Sequence, residues 1–135
     1  MKYLGNVKGR TRLQKILYLL KEQFGFEIAY KFMPYYYGPY ASELQNDIDI
    51  LARLGLVDVT VNFLDDGRFY YEHRLTDQGK KIAEDFEKTL QEEQIRQLKK
   101  ALAELKEYDL EHLVQKAKET MKQKLGEDKV RLYLY

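Results

Sequence analysis

Apolar residues in the first part of the chain fall at helical spacing. Leu13, Ile16, Leu17, Leu20 and Phe24 recur every three or four positions, which places them on one stripe and predicts a one-sided helix over 11–24, closed by Gly25. Leu44, Ile48, Leu51 and Leu54 repeat the pattern and predict a second helix that ends at Gly55. Ser42 with Gln45 three residues on reads as its capping box, and Pro39 suits the approach to its first turn. Between the two helices lies FEIAYKFMPYYYGPY, aromatic and interrupted by Pro34, Gly38 and Pro39. It reads as a short helix or extended segment crossing buried surface, then a tight turn.

The period drops to two after Leu56. Val57, Val59, Val61 and Phe63 alternate with polar residues up to Asp65-Asp66-Gly67, the pattern of a β-hairpin. A two-residue loop at Asp66-Gly67 would set Val61 opposite Glu72 and Val59 opposite Arg74, mixing charge into the apolar face. A three-residue loop centred on Asp66 instead pairs Phe63 with Phe69, Val61 with Tyr71, Val59 with His73 and Val57 with Leu75, with Gly67 in the left-handed position, and this register is preferred.

Thr76 then caps a long helical stripe of Ile82, Ala83, Phe86, Leu90, Ile95, Leu98, Leu102 and Leu105, whose phase breaks between Leu90 and Ile95. A kink or break is expected at 91–94. Asp109 caps a last helix carrying Leu110, Leu113, Val114, Ala117, Met121 and Leu125, followed by Gly126 and an alternating KVRLYLY tail that reads as an edge strand or a frayed end.

The expected fold class is α+β and mostly helical. Helix, turn, helix, hairpin and helix is the winged helix-turn-helix order, in which residues 42–54 are the recognition helix and the hairpin is the wing. The expected organisation is a winged-helix domain over 1–90 and a C-terminal helical extension over 91–135.

At 135 residues, 44% hydrophobic and 33% charged, the chain can bury a core without disulfides. No apolar run is long enough to span a bilayer, the start MKYLGNVKGR has no apolar signal region, and cysteine is absent. These features lead to the expectation of a cytoplasmic protein with no membrane partner. Net charge is only +1, but residues 1–38 carry +5 while 39–56 and 57–75 carry −2 each.

An enzyme is not expected. Ser42 is the sole serine, the two histidines His73 and His112 fall in different elements, and no phosphate-binding glycine motif or metal-ligand spacing occurs. No cofactor and no metal are therefore expected.

Two stretches resemble known families. RLQKILYLL followed by YYYGPYASELQNDIDILARLGLV, within roughly the first 60 residues, resembles the YwgA-type proteins and the related Panacea-type antitoxin domains. RLTDQGKKIAEDF is similar to the wing-to-helix joint of the MarR and PadR groups of regulators. The resemblance implies a winged-helix fold, frequent dimerisation through terminal helices, and a role in transcription or toxin neutralisation.

Double-stranded DNA is accordingly the first partner expected, bound by a homodimeric regulator. Ser42, Gln45, Asn46, Asp49 and Arg53 would read bases, since Gln and Asn can pair with adenine and Arg with guanine. Lys8, Arg10, Arg12 and Lys15, with Arg68 at the wing tip, would grip phosphate. Glu43, Asp47 and Asp49 make the second helix acidic, which opposes phosphate and leaves open a solvated face or a protein-interaction module, antitoxin-like or adaptor. Tyr35, Tyr36, Tyr37 and Tyr40 are expected to pack between the helices, the alternative being a stacking platform for single-stranded bases. Leu98, Leu102, Leu105, Leu113, Val114, Ala117 and Met121 are the expected dimer seam, the alternative being that these helices cover their own domain.

Overall fold

The structure is a computed structural model, and it describes residues 1–126. The KVRLYLY tail lies outside the described residues. Strand β1 (Val7–Lys8) leads into α1 (Arg10–Glu22), and a short hairpin of β2 (Met33–Tyr35) and β3 (Gly38–Tyr40) leads into α2 (Ser42–Arg53). A longer hairpin, β4 (Val57–Phe63) and β5 (Phe69–Leu75), precedes α3 (Asp77–Glu87), α4 (Glu92–Lys106) and α5 (Leu110–Leu125). The fold is thus α+β, with small antiparallel sheets: β1-β5-β4, with β5 central, and β2-β3.

The β4–β5 register is the one derived from the alternation, with Phe63 opposite Phe69, Val61 opposite Tyr71, Val59 opposite His73 and Val57 opposite Leu75. The Leu64 amide closes the loop on the Arg68 carbonyl, and Gly67 sits at φ +88°. The break in the long stripe is also present: α3 ends at Glu87 and α4 restarts behind a capping box of Gln91 and Gln94. Thr76 and Asp109 cap α3 and α5, accepting from the Gly79 and His112 amides. Gly79 is required by packing, because a Cβ there would lie 2.0 Å from the Leu56 carbonyl oxygen.

Helix α1 is the axis of the core. Leu13, Ile16, Leu19 and Leu20 are buried in one cluster with Leu44 and Ile48 of α2, Ala101, Leu102 and Leu105 of α4, and Leu113, Ala117 and Met121 of α5. This corrects two expectations. The boundary at 90/91 does not divide the core, which draws on both sides of it. The stripe assigned to a dimer seam is occupied within the chain: Leu102, Leu105, Leu113, Ala117 and Met121 are buried, and Leu98 and Val114 are half-buried. A helix covered on nearly every side needs more apolar partner surface than α2 and a hairpin provide, and the C-terminal helices supply it.

Two local expectations fail for non-local reasons. The capping box at Ser42 does not form; Ala41 is the N-cap, and the Gln14 side chain of α1 accepts from its amide and donates to its carbonyl, both at 2.8 Å. The aromatic crossing lays Phe26, Ile28, Tyr30 and Phe32 against the core, as expected, and turns in the β2–β3 hairpin, but the hairpin's tyrosines do not pack between helices: Tyr35, Tyr36 and Tyr37 are exposed and only Tyr40 is half-buried. The buried part of this segment is Gly38–Pro39, where Gly38 has φ +102° and a Cβ would meet Lys118 Cγ at 3.2 Å and Lys15 Cε at 3.4 Å.

Candidate functional site

Because α1 is buried on most of its circumference, its polar residues need internal partners. Lys15 is 2% exposed, and its Nζ donates to the Pro39 carbonyl at 2.6 Å. Burial, with Lys118 nearby, brings its pKa down to about 8. Lys15 is therefore a positioning group for the YGPY turn, which corrects its assignment to phosphate. Arg12 is half-buried and donates through Nη1 to the Tyr108 carbonyl at 3.0 Å. Arg10 is exposed and lies 4.1 Å from the centroid of the Tyr71 ring, and Lys8 is exposed at the end of β1.

Lys8, Arg12 and Arg68, from three separate elements, line one cleft of about 640 Å³. Sequence reasoning did not connect Lys106, Tyr108 and Leu110 of the α4–α5 joint with it, although they form the opposite wall. No periodicity shows that this joint comes back beside the β4–β5 hairpin. Ile16, Leu64, Phe69 and Tyr70 add apolar surface. Arg68 is tied locally to Asp66, its Nε donating to Oδ2 at 2.6 Å.

The solvent face of α2 has a different character. Ser42, Asn46 and Arg53 are exposed, whereas Gln45 and Asp49 are half-buried and bonded to each other, Gln45 Nε2 to Asp49 Oδ1 at 3.0 Å. Between the exposed polar residues stand Glu43 and Asp47, Ile50 at 45% exposure and Leu54 at 64%. The apolar stripe of α2 includes Leu54 by spacing, but the helix ends at Arg53 and leaves it outside. The tip of the β4–β5 hairpin is also apolar and exposed, with Phe63 and Phe69 rings 6.0 Å apart. The five base-reading candidates are thus split, and the acidic and apolar residues dominate the face.

His73, on the central strand, is buried with no hydrogen-bond partner at Nδ1. Burial lowers its pKa, the Val7 backbone opposing that shift. Among the described residues no group of three or more His, Cys, Asp or Glu side chains could hold a metal, and no helix is long and apolar enough to cross a membrane.

Comparison with known proteins bears on part of the resemblance. The chain is 40% identical over 76 residues, 56% of its length, to the uncharacterized protein YwgA of Bacillus subtilis (strain 168). The match covers 44% of that protein, so the chain spans less than half the length of this relative. The similarity supports the YwgA-type component of the resemblance. No family model and no solved structure matches.

Proposed function

We propose that this chain is a protein-interaction module that holds a basic, apolar segment of a partner protein on the exposed face of α2. The observation that carries this reading is the composition of that face, in which Glu43 and Asp47 flank the exposed side chains of Ile50 and Leu54. Exposed apolar groups rimmed by charge mark interaction surfaces, and the acidic rim selects a basic partner. The toxin neutralisation implied by the Panacea-type resemblance agrees with such a role.

A second reading is a winged-helix DNA-binding regulator. It is favoured by the placement of α2 directly before the β4–β5 hairpin, by the pairing of β1 with β5, and by the exposure of Ser42, Asn46 and Arg53. It is opposed by the acidic α2 face and by the burial of Lys15. A homodimer in either reading would use surface other than the buried C-terminal stripe; Ile82 and Phe86 of α3 are exposed.

The deciding experiment is fluorescence anisotropy with a random-duplex pool at about 50 and 200 mM salt, beside a titration with basic amphipathic peptides. The interaction reading expects peptide binding that weakens in Glu43→Lys/Asp47→Lys and in Leu54→Glu, with no duplex binding at low salt. Salt-sensitive duplex binding lost in Arg10→Glu, with no response to peptides, would replace it with the DNA reading.

A further inference from the structure

The cleft between the β4–β5 hairpin and the α4–α5 joint has a chemistry that the interaction reading does not use. Four cations, Lys8, Arg12, Arg68 and Lys106, border it, and no acidic side chain is among its lining residues. Among the described residues Lys8 and Lys106 make no ion pair. Arg12 has five N–H donors, of which one is given to the Tyr108 carbonyl. The nearby Asp109 carboxylate is engaged at the start of α5 by the amide and ring of His112, and it lies within reach of the Arg12 charge, which adds to the lowering of its pKa. Glu72, opposite Lys8 in the sheet, accepts from Asn6 and Asn62.

We infer that this cleft binds a small aromatic carboxylate, with the carboxylate among the cations and the ring against Phe69, Tyr70 and Tyr108. Arg68 is already paired with Asp66, so the charge left for a ligand is that of Lys8 and Lys106 with the remaining donors of Arg12, and an anion entering between them gains their attraction. Ring-on-ring contact favours an aromatic body over an aliphatic one. A volume of about 640 Å³ lies within the range of small-molecule sites. The half-buried Arg12 suits a ligand that enters the recess rather than a nucleic-acid backbone that passes over it. Such a ligand would join the hairpin tip, through Arg68 and Phe69, to the α4–α5 joint, through Lys106 and Tyr108.

The test is a titration of the full chain with 2-naphthoate and with its uncharged amide, followed by heteronuclear NMR. Charge-assisted hydrogen bonds are worth enough that the acid is expected to bind about tenfold more tightly than the amide or better, with shifts centred on the cleft. The preference should fall to about threefold or less in Lys8→Gln/Lys106→Gln and persist in Lys100→Gln, which alters an exposed lysine outside the cleft. Equal binding of acid and amide, shifts centred on the Tyr35–Tyr37 turn, or no binding of either compound at millimolar concentration would overturn the assignment. Because the probe is neither peptide nor duplex, failure here leaves the α2 reading standing, and the reverse also holds.

Discussion

Replacing Lys15 with methionine tests whether the YGPY turn is held by a cation kept under strain. Folding moves the lysine pKa from 10.5 to about 8, with burial as the larger cause and Lys118 as the smaller. Above pH 8 the folded chain gives up this proton while the unfolded chain keeps it up to about pH 10.5. The unfolded state binds more protons across that window, so stability rises with pH. At neutral pH the charged buried amine costs about 3 kcal/mol relative to the unfolded chain, and the relief between pH 8 and pH 10 comes to about 2 kcal/mol.

The other shifted groups act at the edges of that window and are the same in both proteins. The Met1 amino group, lowered from 8.0 by burial, contributes below it. Tyr3, Tyr18 and Tyr30, each raised from 10 to about 12 chiefly by burial, begin to take stability away as the pH approaches 10, and they do so alike in the wild type and in a Lys15 variant. Urea unfolding at pH 7, 8, 9 and 10 should show the wild-type free energy climbing relative to that of Lys15→Met by about 2 kcal/mol from pH 8 to pH 10. At pH 7 the substitution removes the charge cost but leaves the Pro39 carbonyl without its donor, a loss of about 1–3 kcal/mol, so the net change there is small. An equal slope in the two proteins would refute the argument, because it would mean that Lys15 titrates in the folded chain as it does in water.

Other substitutions check the packing account. Gly79→Ala should cost about 1–3 kcal/mol in chemical denaturation, since the new methyl group meets the Leu56 carbonyl; an unchanged midpoint would show that α3 shifts freely. Leu113→Ala removes a fully buried side chain from the α1–α5 contact and should cost about 2–5 kcal/mol, whereas a helical extension separate from the core would tolerate it with little loss. Thr76→Ala should lose about 1 kcal/mol through the vacated Gly79 amide, with Thr76→Ser retaining most of the stability. His73, its pKa lowered chiefly by burial, contributes stability above pH 6.5 that is lost as the pH falls below that value toward its folded pKa. An NMR titration of its ring should place the midpoint below 6.5, and a midpoint at or above 6.5 would contradict the burial argument.

What was legible in the sequence follows from how far each signal reaches. The β4–β5 register was readable because one wrong step would set Glu72 and Arg74 against valines, a conflict visible within twenty residues. Thr76 and Asp109 were readable as caps because a cap acts on amides two or three positions away. Ser42 looked the same locally, but Gln14 holds the amide and carbonyl of Ala41, 27 residues later in the chain, and the helix starts from Ala41 as N-cap instead. The C-terminal stripes were readable as stripes, while their partner was not. A helix face records that it must be covered and says nothing about whether α1 or a second chain covers it. The tyrosines were illegible for a related reason, since an aromatic run has the same composition whether it fills a core or stands on a hairpin tip.

The positive N-terminal segment carries this lesson into function. Its charge of +5 suggested a ridge for phosphate, yet the fold disperses it. Lys15 serves Pro39, Lys21 donates to the Tyr30 carbonyl, Lys2 pairs with Glu87, and Arg10 lies against Tyr71. Phosphate affinity depends on cations presented together on an accessible surface, so a sum along the chain overstates it. Lys8 and Arg12 are the members that converge, and they do so in a recess with Arg68 and Lys106 against apolar walls. A recess concentrates charge on a ligand that can enter it. The same residues that made duplex DNA the first expectation from sequence therefore point, once folded, to a small anion in the cleft, and they leave the acidic, apolar face of α2 free for a protein partner.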